Sequence, residues 1–155
     1  MVKDFFWVEL TSALSLAIPL EQTAEVLSMG PTELCPVPGI KPAFLGVSNQ
    51  RGQLLWVIDL NHLLGEHKAP ARRVMGRTVG IVLLKDSFRV AGLVAKLNGI
   101  ISLDLNVSGQ APQRPCLQAQ TRIDGQSVGI LDVDAVFQAL QGPNPTPISL
   151  VSSSH

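Results

Sequence analysis

Gly52-Gln53-Leu54-Leu55-Trp56-Val57-Ile58-Asp59-Leu60-Asn61-His62-Leu63-Leu64 reads as a turn glycine, a strand, an acidic residue and a short amphipathic helix. The same design returns 73 residues later as Gly125-Gln126-Ser127-Val128-Gly129-Ile130-Leu131-Asp132-Val133-Asp134-Ala135-Val136-Phe137. In both copies the Asp at the strand end, or the Asn61/Asp134 pair two places on, is suited to accept from the free amides of a first helical turn. Gly65 stands where a left-handed helix terminus wants glycine. A strand–cap–helix unit repeated at a half-chain offset predicts two similar β lobes; two copies fall short of a solenoid.

Working outward, the dominant period is two. Phe6, Val8 and Leu10 share one face of a first strand, and Leu14 to Ile18 continue as its hairpin partner until Pro19 removes a ladder donor. Glu21 to Leu27 fits either a helical turn or a further strand. Pro31, Pro36, Pro38 and Pro42, with Gly39, force an extended loop. Thr78–Leu84 and Phe88–Val94 predict a second hairpin about Lys85-Asp86-Ser87. Asn98-Gly99 reads as a turn before a strand from Ile100 to Leu105. Arg122-Ile123 and Ser127–Leu131 flank an Asp124-Gly125 hairpin turn. Glu66 to Arg73 is expected as a solvated loop. The segment 141–155 is expected as a Pro- and Ser-rich disordered tail, which leaves 1–140 as a single domain.

The composition removes several functions. A chain of 155 residues, 46% hydrophobic, buries roughly 70% of its extended surface on folding and needs no disulfide staple. Twelve basic against twelve acidic side chains supply no field for counterion release from phosphates. With tyrosine absent and aromatics at 5%, base-stacking surfaces are disfavoured too. A small β-barrel that binds nucleic acid, like an OB-fold module, is therefore the alternative reading, and the composition argues against it. Apolar runs such as Leu54–Ile58 and Ile81–Leu84 are strand-sized, well short of the about 18 residues a membrane helix needs. Direct membrane insertion is not expected, and without a signal-peptide pattern Cys35 and Cys116 are expected as free cytoplasmic thiols.

Catalytic constellations are sparse. Gly46-Val47-Ser48-Asn49-Gln50 lacks the last glycine of a nucleophile elbow, and Gly46 to Gly52 lacks the Lys-Ser or Lys-Thr of a phosphate loop. The cysteines lack zinc spacing. Asp59, His62, Glu66 and His67 form the one acid–base cluster, best read as a helix cap followed by loop charges. An enzyme centred on Asp59 and His62 is a third reading; it would require a pocket that perturbs their titration. Lys68, Arg72, Arg73 and Arg77 read as a solvated basic loop. Trp7 and Trp56 read as core residues more readily than as contact anchors. No catalytic residue, metal ligand or cofactor is expected. That leaves Arg51, a planar five-donor fork on a tight turn beside Asn49 and Gly52; it is either a locally paired turn residue or a binding anchor.

Phe44-Leu45-Gly46-Val47, Asn49-Gln50-Arg51-Gly52 and Val57-Ile58-Asp59-Leu60 together resemble the signature of the CheW-like adaptor family. Ile18-Pro19-Leu20, Glu25-Val26-Leu27 and Pro36-Val37-Pro38-Gly39 follow in family order, so the resemblance runs from Phe5 to Leu140. It implies a mainly β fold, two SH3-like five-stranded β-barrel lobes packed together with short helices. It also implies a noncatalytic adaptor, cytoplasmic and recruited to receptor arrays. Its partners would be the regulatory domain of a CheA-type histidine kinase and the cytoplasmic tip of a methyl-accepting chemoreceptor. Carried over by position, the partner-binding residues are Gly46, Asn49, Arg51 and Gly52, with Val26 as an apolar contact. Trp56 replaces the family's usual proline, Asn61 a common arginine, and Ala95-Lys96-Leu97 an acidic stretch. Those departures would suit a phototaxis or type IV pilus variant.

Overall fold

The computed structural model describes residues 1–11, 14–65 and 78–141. Its strands are β1 (Lys3–Thr11), β2 (Leu14–Pro19), β3 (Thr23–Met29), β4 (Phe44–Gln50) and β5 (Gln53–Ile58), then β6 (Thr78–Lys85), β7 (Phe88–Val94), β8 (Lys96–Leu103), β9 (Leu117–Ile123) and β10 (Gln126–Leu131). Helix α1 (Leu60–Leu63) follows β5, α2 (Leu105–Ser108) follows β8 and α3 (Val133–Leu140) follows β10. Both readings of the Glu21–Leu27 segment are realised, because a 3-10 turn at Leu20–Gln22 runs directly into β3. The expected loop at residues 66–73, with its basic cluster, and the expected tail beyond Gln141 lie outside the described residues.

The ten strands form two five-stranded sheets, ordered β8-β1-β2-β10-β9 and β3-β6-β7-β5-β4. These are the two expected lobes. The sheets have the same wiring: two antiparallel hairpins meet along one central parallel pair, β2 with β10 in the first lobe and β5 with β7 in the second. A further antiparallel edge strand, β8 or β3, completes each sheet.

Alternation along the strands gives each sheet two apolar faces, and this creates three cores. Phe5, Ala17, Ala119, Val128 and Ile130 fill the first lobe, with Trp7 packed against them. Met29, Leu55, Val57, Val82 and Ala91 fill the second. The largest cluster lies between the lobes: Val8, Leu16, Ile18, Ile58, Leu60, Ile81, Leu83, Leu131, Phe137 and Leu140 are among its members. Phe6, Val8 and Leu10 do share this central face, while Phe5 and Trp7 point the other way. Each fully buried aliphatic or aromatic side chain contributes about 1.5–3 kcal/mol, so the interlobe core is a major part of the folding energy.

One sequence expectation is corrected. Asn98-Gly99 is not a turn, because both residues lie inside β8, where the register against β1 slips between Trp7–Gly99 and Val8–Leu97. The bulge absorbs Asn98, and Gly99 takes φ +142°, a conformation that glycine adopts at little cost. A turn dipeptide inside a strand marks a bulge as readily as a reversal.

Candidate functional site

The β4–β5 connection is a two-residue turn in which Arg51 (φ 55°) and Gly52 (φ 86°) both adopt left-handed backbone. That is the mirror-image turn whose twist matches a β hairpin. Asn49 holds it shut, its Oδ1 accepting from the Gly52 amide at 2.9 Å. The corresponding turn in the second half has Asp124 (φ 52°) and Gly125 (φ 81°). Asp is at home in that conformation, whereas Arg pays about 1–2 kcal/mol for it. The arginine therefore needs a reason beyond the turn.

The Arg51 side chain is 79% exposed, and its guanidinium reaches back to β3, where one Nη2 donates to Glu25 at 3.0 and 3.4 Å. Arg89 of β7 donates to Glu25 Oε2, the oxygen farther from Arg51, at 2.8 Å. One carboxylate between two guanidiniums leaves the cluster with a net positive charge. Exposed pairs of this kind contribute up to about 1 kcal/mol each, so their effect is to orient the fork rather than to hold the fold.

Gly46 and Val26 complete the expected set. Gly46 (φ +150°) sits where the backbone of Cys35 crosses β4, joined by Cys35 N–Val47 O and Val47 N–Cys35 O hydrogen bonds of 2.8 and 2.9 Å. A Cβ there would collide with the Cys35 carbonyl oxygen and lie 2.9 Å from its carbon. Val26 is exposed on β3, next to Glu25 but on the opposite face of the strand. Leu54, the cross-strand partner of Asn49, is a large exposed apolar side chain that the sequence reading passed over. The structure thus separates the five nominated residues by role. Asn49, Gly52 and Gly46 shape the hairpin, Arg51 is presented by it, and Val26 stands apart, exposed on the face of β3 opposite to Glu25.

Glu25 and Arg89, which complete the Arg51 cluster, are not legible in the sequence. They stand 26 and 38 residues away in the chain, on strands that meet only through the sheet order β3-β6-β7-β5-β4, so no local pattern could pair them. Asp59 caps α1, accepting from the Asn61 and His62 amides at 3.0 and 3.4 Å. Glu66 and His67 fall outside the described residues. Among the described residues no group of three or more His, Cys, Asp or Glu is placed to hold a metal ion. Trp56 is half-buried, set edge-on to Phe44 at 5.5 Å between ring centres and packed on the interlobe core. A separate cleft of about 510 Å³ opens on the first lobe, lined by Lys3, Glu21, Gln22, Asp132 and Asp134 among others. Its charges are already engaged: Lys3 with Glu21 at 3.1 Å, and Asp134 with both Gln22 and Lys85 at 3.1 Å. No helix among the described residues is long and apolar enough to cross a membrane.

The family model for the CheW-like domain matches residues 4–141. This chain belongs to the CheW-like domain family. The scaffolding protein TtCheW from Thermoanaerobacter tengcongensis has the same fold, superposing with a TM-score of 0.69 over 84% of this chain and 89% of its own, at 17% identity. No curated protein matches the chain. The CheW-like fold accounts for both lobes, and in this chain the Arg51 turn lies in the second sheet.

Proposed function

We propose that this CheW-like protein is a noncatalytic adaptor that couples methyl-accepting chemoreceptors to a CheA-type histidine kinase. It would act in the cytoplasm, at membrane receptor arrays. The observation that carries this reading is Arg51, an arginine kept at an unfavourable backbone angle, exposed, and aimed by Glu25 from a neighbouring strand. A guanidinium so placed is an interface anchor, since arginine is among the residues that dominate binding energy at hot spots. Asn49, Gly46 and Gly52 would act by shaping the turn, Leu54 would supply apolar contact beside it, and Val26 would be a separate apolar contact on β3.

An adaptor of this kind catalyses nothing. It raises the local concentration of its partners, and it can bias the kinase only by binding the active and inactive arrangements with different affinity. A coupling of about 1–3 kcal/mol shifts occupancy five- to 150-fold. Trp56, Asn61 and the Ala95–Leu97 segment support a divergent branch of the family, such as one serving phototaxis or type IV pili.

The test is calorimetric titration against the regulatory domain of each CheA-type kinase in the source genome, and against receptor cytoplasmic tips. Micromolar or tighter binding to one kinase is expected. Arg51→Ala is expected to weaken receptor-tip binding about tenfold or more, with its circular dichroism and melting temperature near those of wild type. Failure to bind any kinase would remove the adaptor reading. An Arg51→Ala variant with wild-type affinity for both partners would remove the site.

A further inference from the structure

The sequence echo predicts two lobes, and the structure shows that repeats and lobes are not the same units. The first repeat contributes β1 to β5 and α1; the second contributes β6 to β10 and α3. Their equivalence extends to detail. The Asp59 amide donates to Ala43 O at 2.7 Å, and 73 residues on the Asp132 amide donates to Cys116 O at 2.8 Å. Yet the hairpin β1–β2 does not pair with the three strands that follow it. It pairs with β8 and β10 of the second repeat, while β6–β7 pairs with β3 and β5 of the first. Each lobe is one repeat's hairpin joined to the other repeat's three-strand piece.

Neither repeat alone therefore holds a finished sheet or a closed core. All four pairings that complete the sheets, β1–β8, β2–β10, β3–β6 and β5–β7, run between repeats. The interlobe core is shared likewise: Ile18 and Ile58 from the first repeat pack with Ile81 and Leu131 from the second. The two repeats are joined covalently only through residues 66–77.

We propose that a second copy of this chain is a structural partner: two chains exchange repeats, so that the first repeat of each completes both lobes with the second repeat of the other. A second chain presents the same edges and the same apolar faces as the chain's own second half, so every strand pairing that completes the lobes is available in the exchanged form. What favours the monomer is the effective concentration set by the connection, in the millimolar range for short links. Exchange is the low-cost route to a dimer in such a case.

Two full-length variants test this. Val57→Asp places a carboxylate in the first repeat, and Ile130→Asp does so in the second; both native side chains are fully buried. Each variant alone has no intact body to form, because every body needs both repeats. Unfolded and refolded together, they can build one wild-type body from the sound repeat of each. The expected result is a cooperative melt at about half the wild-type amplitude, in a species of twice the chain mass that holds one copy of each variant. A mixture with no more folded signal than the two variants refolded apart would overturn the proposal. A second measurement avoids the lesions. Unlabelled and ¹⁵N-labelled wild-type chains are refolded together at roughly millimolar concentration and weighed by native mass spectrometry. Mixed-label dimers are expected, and monomers alone would overturn the proposal.

Discussion

Gly46 and Gly52 are both glycines at positive φ in one hairpin, but the physical demand on them differs. Gly52 has no atom within 4 Å of where its Cβ would stand, so Gly52→Ala costs only the backbone preference, about 1 kcal/mol. Gly46→Ala must also push the Cys35–Pro36 backbone away from β4, so its expected cost is about 2–4 kcal/mol. Chemical denaturation of the two variants checks the order. Equal midpoints would mean that the Cys35 crossing yields freely. The cysteines give a second contrast at this scale. Cys35 is exposed, whereas burial pushes the Cys116 thiol above its ordinary value of 9.0 and the Asp132 carboxylate adds to the shift. Alkylation at neutral pH is expected to modify Cys35 first, read by peptide mass spectrometry. The folded protein holds the Cys116 proton more tightly than the unfolded chain does. Its stabilising contribution is thus whole below the unfolded thiol value and is lost as pH rises through the folded one. Cys116→Ser should flatten the alkaline decline in stability, and an unchanged decline would assign it to other groups.

At the scale of elements, the strand–Asp–helix unit occurs three times among the described residues. Asp59 and Asp132 cap α1 and α3, Asp132 accepting from the Ala135 amide at 3.0 Å. Asp104 caps α2 in the same way, accepting from Asn106 at 3.1 Å. Two of the three were legible in the sequence, because an apolar strand and an amphipathic helix flank each Asp. The third was hidden by the Asn98-Gly99 dipeptide, which reads as a turn and displaces the strand by several residues. The hairpins were legible for the same reason as the first two caps: their turn residues and their alternation agree. The candidate site was legible only where it is local. Arg51, Asn49 and Gly52 lie within four residues, while Glu25 and Arg89 join them through sheet order, which no local pattern carries. Asp59→Ala and Asp132→Ala should each cost about 1 kcal/mol, and Asn at either position should recover most of it. Thermal melts of the four variants check this. A harmless Asp132→Ala would mean that the packing of Val133, Val136, Phe137 and Leu140 alone holds α3.

For the whole molecule, the placement of the largest core decides how the protein unfolds. Were the lobes stabilised mainly by their own interiors, each could melt alone. The interlobe cluster instead takes side chains from both sheets, Val8, Leu16 and Leu131 from one and Ile58, Ile81 and Leu83 from the other. Every lobe also contains strands of both repeats, so unfolding one removes edges and core from the other. The expected behaviour is a single two-state transition. The two tryptophans provide the probes: Trp7 packs on the first lobe's core, and Trp56, in the second sheet, packs against Phe44. Variants keeping one tryptophan each, Trp56→Phe and Trp7→Phe, differ in their own stability. The comparison is therefore made within each variant, between its tryptophan fluorescence and its far-ultraviolet circular dichroism. Coincident curves are expected in both variants. Leu131→Ala, which empties a fully buried position in the central cluster, should then lower stability by about 2–5 kcal/mol. Introduced into each single-tryptophan variant, it should shift the Trp7 and Trp56 signals by the same free energy. A shift confined to the Trp7 signal would show that the second lobe stands without the first, and that the shared core packs the lobes together without making them one cooperative unit.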